Sequence, residues 1–120
     1  MSELTWIEIS RQALESNIKQ FRKLIGDDVL MCPCVKSNAY GHGLVETGKI
    51  FLESGADWLS VNALYEAEKL REAGLKCPIY VMGYIELENL KKAVDLQVRM
   101  VVYNKETIEK LGSIGKEVKV

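Results

Sequence analysis

Two hydrophobic periods alternate along this chain. In TWIEIS, Thr5, Ile7 and Ile9 fall on one side and Trp6 and Glu8 on the other, which predicts a short strand. Ser10 is a helix N-cap candidate. Beyond it Leu14, Ile18, Phe21 and Ile25 form one apolar stripe, predicting a helix over 11–25 that Gly26 ends. The apolar run 29–35 then reads as a buried strand. A helical segment over 44–53 ends at Gly55, and the strand WLSVN follows at 58–62. ALYEAEKLREAG places Leu64, Ala67 and Leu70 on one helix face, with Gly74 as its C-cap. Pro78 introduces the strand IYVMG, a weaker helix spans 86–94, and VRMVV at 98–102 is the next strand. Asn104 is placed to cap a helix running to about Leu111, and the closing EVKV reads as the start of a fifth strand.

Strand followed by helix, repeated without a linker or low-complexity tract, is the pattern of βαβ units building a parallel sheet. Two architectures satisfy it. A small open doubly wound sheet needs about five strands. A (β/α)8 barrel needs roughly 250 residues, so a chain of 120 could supply only its first half. The chain stops as EVKV begins, with no helix to cover that strand, as a chain cut in mid-unit would.

Composition narrows the function classes. Apolar residues make up 48% and charged residues 28%, with a net charge of −1 and the two signs well mixed. Such a surface offers no basic footprint for nucleic acid or an anionic membrane. No apolar stretch nears the roughly 20 residues of a membrane span, and MSELTWIEISR lacks the apolar core of a signal peptide. Cys32, Cys34 and Cys77 therefore read as reduced thiols of a cytoplasmic protein. Cys32 and Cys34 share a strand face, but one histidine and no second cysteine cluster argue against a metal site.

The chemistry concentrates in KSNAYGHG, residues 36–43, directly after the apolar run. On a strand Cys32, Cys34 and Lys36 point together, while Met31, Pro33 and Val35 point away. If helices cover the Met31/Val35 side, Lys36 stands inside, at the C-terminal end of its strand, where parallel α/β folds place their chemistry. A lysine among apolar groups loses hydration of its ammonium form and becomes a nucleophile suited to Schiff-base formation. A snorkelling lysine at a strand end is the plainer reading. Tyr40 brings a phenol four residues on, and Gly41 and Gly43 bracket His42 just before a helix start, a general anion site. Neither the Walker pattern nor a GxGxxG fingerprint is present. His42 could serve as an acid–base group or simply as a residue of the turn. A lysine, a phenol and a helix start together suit an aldehyde cofactor bearing a phosphate, and pyridoxal phosphate answers that description.

VKSNAYGHG resembles the cofactor-lysine motif of bacterial alanine racemases, with Ser37 where that family usually has alanine. The likeness continues through TWIEISRQALESNIKQFRK, GADWLSVNALYEAEKLREAG and PIYVMGY, and so covers essentially the whole chain. The resemblance implies an α/β fold: the N-terminal half of a parallel (β/α)8 barrel, preceded by a short strand and helix. Residues 1–120 would then form a truncated barrel domain, its second half and a C-terminal β-domain absent. It implies a pyridoxal phosphate-dependent racemase, with alanine or another small amino acid as substrate. Lys36 would be the Schiff-base lysine and the base on one face of the substrate. Tyr40 would bind the cofactor phosphate, and Met82 would be an apolar wall. Cys34 faces the same way as Lys36 and could line that cavity, though core packing is its simpler role.

Racemisation also needs an acid on the opposite face. In the family a tyrosine from the partner subunit of a homodimer supplies it, and an arginine beside the pyridine nitrogen lies later in the chain. Tyr65, Tyr80, Tyr84 and Tyr103 do not match that tyrosine. The chain alone is therefore expected to lack racemisation. A cofactor-binding module without catalysis and an inactive assembly fragment stand as the alternatives. Residues 3–9, whose pairing partner would be absent, are expected to be exposed, disordered or paired with another chain.

Overall fold

The computed structural model describes residues 4–120. Helix α1 (Arg11–Ile25) starts where expected: the Ser10 hydroxyl accepts from the Ala13 N–H at 3.2 Å. Its stripe is only partly covered, with Ile18 buried and Phe21 and Leu24 open to solvent. Helix α2 (Leu44–Glu53) leads to strand β1 (Leu59–Val61), then α3 (Leu64–Glu72) and β2 (Ile79–Val81). The weaker helix begins as a 3-10 turn, Leu87–Asn89, and continues as α4 (Leu90–Asp95). Strand β3 (Arg99–Met100) precedes α5 (Lys105–Ile114), whose cap Asn104 accepts from the Thr107 N–H at 2.8 Å.

Strands pair in chain order and in parallel: β1 with β2, and β2 with β3. Two single bridges extend the row, Cys34 with Ser60 on one side and Arg99 with Lys119 on the other. So the run 29–35 and the closing EVKV flank the three-stranded sheet in chain order, each meeting it through one isolated bridge rather than forming a full strand. Sequential order without a reversal excludes the doubly wound sheet, whose strand order turns back at a switch point.

Burial gives the same answer. Val35, Leu59, Val61, Ile79, Val81 and Met100 pack in one core with helix residues Leu44, Ala67, Leu70, Leu90 and Leu111. The alternate positions Cys34, Ser60, Tyr80, Arg99 and Lys119 lie in register on the other face. Helices cover the first face, as in an arc of barrel. The radius of gyration is 16.3 Å, against about 13.6 Å for a compact domain of this length. One extent of only 23 Å, beside 49 and 45 Å, makes this a curved slab.

Close packing fixes the layers. A methyl on Gly48 of α2 would lie 3.0 Å from Leu59 Cδ1, so the glycine lets this helix sit down on β1. At Gly83 an added Cβ would come within 2.4 Å of the Asn62 carbonyl oxygen, and this sets the spacing of the β1 and β2 ends. Two arginines stitch the connections through backbone carbonyls. Arg22 donates to Gly26, Val29 and Gly55 oxygens and pairs with Asp57, which also accepts from the Met31 N–H. Arg71 donates to Leu75, Cys77 and Leu96 in the next unit.

The expected N-terminal strand is not formed. Residues 4–10 are exposed and carry no sheet hydrogen bonds, while Glu3 lies outside the described residues. Trp6 Nε1 still reaches Glu8 Oε1 at 2.8 Å, so the period-2 pattern persists locally. A strand needs a neighbouring edge, and none lies beside this arm.

Acid should weaken the fold through two carboxylates. Lys116 and Lys91, at 2.7 and 2.6 Å, push the Asp95 pKa down to about 2. The Met31 N–H and then Arg22 hold Asp57 below its usual range. An unfolded aspartate titrates at about 4, so both contributions are complete above that pH and fade as pH falls through the lowered folded values, about 2 for Asp95. Thermal melts across that window should show a falling midpoint, and Asp95→Asn should flatten the fall modestly because the group is exposed.

Candidate functional site

The segment after the first strand is where this fold departs from ordinary geometry. Ser37, Asn38, Ala39 and Tyr40 all adopt φ between +53° and +56°, a full left-handed turn without glycine. Each such residue costs roughly 1–2 kcal/mol relative to right-handed helix, with asparagine the most tolerant. The cost is offset by a dense set of bonds. The Ala39 N–H donates to Val35 O at 2.9 Å, and Gly43 N–H to Asn38 O at 2.9 Å. Asn38 Oδ1 accepts from the Leu44 N–H at 2.9 Å, and Ala39 itself is buried. Glu66, 3% exposed, accepts from the Ser37 N–H at 2.6 Å and from the Asn62 and Ala63 N–H groups at 2.9 Å.

This turn puts Lys36 at the C-terminal rim of the open sheet face, partly buried. Val35 is fully buried on the helix side, and Lys36 follows it at the end of the run. Among the described residues its ammonium has no ion pair, whereas Lys49, Lys91, Lys92, Lys105 and Lys116 each have one. The Tyr40 ring is exposed and its hydroxyl lies 3.6 Å from Cys34 Sγ. That contact, followed by partial desolvation, raises the phenol pKa. Cys34 thus lies on the open face beside the tyrosine. Met82 follows β2, partly buried, and its N–H donates to Val61 O at 2.9 Å.

His42 sits as the residue of the turn that was one of its two readings: its Nδ1–H donates to the Ala39 carbonyl at 3.0 Å. At the start of α2 the Leu44 N–H is already taken by Asn38, so that amide does not await an anion. Glu66 was missed. Its only signal in the sequence is a glutamate three residues into a helix, the usual place of a capping carboxylate. Nothing there shows that it also reaches across 29 residues to Ser37.

A one-sided parallel sheet in chain order, with helices on one face only, defines an arc of (β/α)8 barrel, and Lys36 lies toward the end at which such barrels carry their chemistry. The particular family follows from comparison: the family model "Alanine racemase, N-terminal domain" matches residues 9–120, and the chain belongs to that family. The alanine racemase of Methanococcus maripaludis is 41% identical over all of this chain and 33% of its own length. That of Desulforamulus reducens is 39% identical over 96% of this chain and 31% of its own. Among solved structures, the Bacillus anthracis alanine racemase with bound L-Ala-P superposes with a TM-score of 0.91 at 34% identity, covering 99% of this chain and 31% of that one. The chain spans about a third of the length of these relatives. The barrel half expected from the sequence is therefore the fold of this family's N-terminal domain. Among the described residues no helix is long and apolar enough to cross a membrane.

Proposed function

We propose that this chain is the cofactor-lysine half of a pyridoxal phosphate-dependent amino-acid racemase, alanine being the favoured substrate. The observation that carries the reading is the left-handed turn that joins Lys36, without an ion pair among the described residues, to the exposed Tyr40. The residues fit the group: an amine without a carboxylate partner among the described residues, an exposed tyrosine whose hydroxyl meets the weakly bonding Cys34 Sγ, and the sheet face beside them. When bound, pyridoxal phosphate supplies the electron sink that makes an amino acid's α-hydrogen acidic.

The chain's own side chains divide the remaining work. Lys36 Nζ holds the cofactor and then takes or returns the α-proton on one face of the substrate. Tyr40 donates its hydroxyl to a phosphate oxygen, and the Met82 side chain excludes water from one wall. The opposite-face acid, the second barrel half, a β-domain and the homodimer partner belong to the parent protein in this reading. So does a cytoplasmic setting.

Solvent exchange tests the division of labour. In D2O with pyridoxal phosphate, this chain should exchange the α-hydrogen of one alanine enantiomer faster than the other, without interconverting them. Equal rates for both, matching free cofactor, would contradict the one-face base and leave a binding module or an inactive fragment.

A further inference from the structure

The two oxygens of Glu66 serve different parts of the fold. Oε2 accepts from the Asn62 and Ala63 N–H groups at the entry of α3, as a helix cap does. Oε1 accepts from the Ser37 N–H at 2.6 Å, in the residue directly after Lys36. Ser37 is also the first of the four consecutive residues at φ above +50°. A cap needs only the first oxygen. The second holds the start of a turn that L-residues would otherwise leave for the right-handed region. The carboxylate is 3% exposed and so meets little competition from water, although Ser37 itself lies at the surface.

We infer that Glu66 is a positioning residue: its carboxylate locks the left-handed turn and so keeps Lys36 and Tyr40 directed at one ligand. The inference rests on the reading of Lys36 as the cofactor lysine. It also makes a prediction independent of cofactor, because the Ser37 amide should be protected by this bond alone. Among the described residues Ser37 N–H meets no other acceptor.

Glu66→Gln separates the two duties. A glutamine oxygen can still cap α3, but its amide then presents N–H to the Ser37 N–H, a donor facing a donor. The comparison variant is Asn104→Ala, which removes a cap from α5 with no link to the turn. Each chain is reduced with borohydride in the presence of pyridoxal phosphate. Mass spectrometry gives the Lys36 share of all labelled lysines, and NMR gives Ser37 amide exchange. Glu66→Gln should lower the Lys36 share and speed Ser37 exchange by about tenfold or more, the scale of one lost charge-assisted hydrogen bond. Asn104→Ala should change neither. Adding Ser37→Gly to Glu66→Gln should restore much of the Lys36 share, because glycine adopts positive φ without strain.

Unchanged labelling and exchange in Glu66→Gln, or changes no larger than in Asn104→Ala, would overturn the inference. If the wild-type chain shows no preference for Lys36, the cofactor reading fails, and Ser37 exchange decides alone. Acceleration confined to the turn then supports the lock, and unaltered exchange refutes it.

Discussion

The Lys36→Ala chain should give no visible absorption shift with pyridoxal phosphate beyond that of scattered surface amines. Enantiomer-selective α-hydrogen exchange should fall by at least about 10²-fold, the lower range for a positioned acid–base group. The physical case is that Lys36 is partly buried and without an ion pair among the described residues, whereas Lys19, Lys23, Lys69, Lys76, Lys110 and Lys119 are exposed. Lys91, Lys92 and Lys116 hold carboxylates at 2.6–2.7 Å, and an aldehyde would have to displace those partners. Lys36 has no such partner among the described residues and sits where the strand ends on the open face. Circular dichroism should be unchanged, since the neighbours that fix the turn are the backbone, Asn38 and Glu66. Wild-type-like spectra and exchange in Lys36→Ala would assign the chemistry elsewhere.

The second large effect is on stability. Leu59→Ala should cost about 2–5 kcal/mol, measured by urea or thermal unfolding. Leu59 is fully buried in the core between β1 and the helices, and its Cδ1 fills the space that Gly48 leaves open. A glycine backbone in α2 cannot extend into the void, so the cavity would persist rather than collapse. For a domain with about 5–15 kcal/mol in total, that loss is a large fraction, worth about 10 °C or more in melting midpoint. Leu24→Ala on the exposed flank of α1 is the control, with an expected change within about 0.5 kcal/mol. Equal effects at the two positions would mean that the helices do not pack on the sheet as described.

The helices were legible because their signals are local. Ser10 and Asn104 cap as their residue types suggest, and the stripe of α3 faces the core through Ala67 and Leu70. Strand order was not legible, since short apolar runs pair in a doubly wound sheet or a barrel arc equally well. What decides is which face the helices cover, a tertiary fact that the alternation around Cys34 and Lys36 could state only conditionally. TWIEIS has strand periodicity without a partner, so the pattern was right and the pairing absent.

At the site, Lys36 and Tyr40 stood out by residue type and spacing. The turn that joins them was not readable, because four left-handed residues in a row without glycine contradict every local preference of that stretch. The compensation comes from Glu66, distant in sequence, and from the Asn38 side chain turned back on Leu44. Local rules fail where strain is held by tertiary contacts, and here that place coincides with the candidate site.

The most direct measurement is borohydride reduction of this chain with pyridoxal phosphate, followed by mapping of the modified lysine. The account predicts one adduct per chain, on Lys36. Label spread over the exposed lysines, with Lys36 no more modified than Lys19 or Lys23, would contradict it.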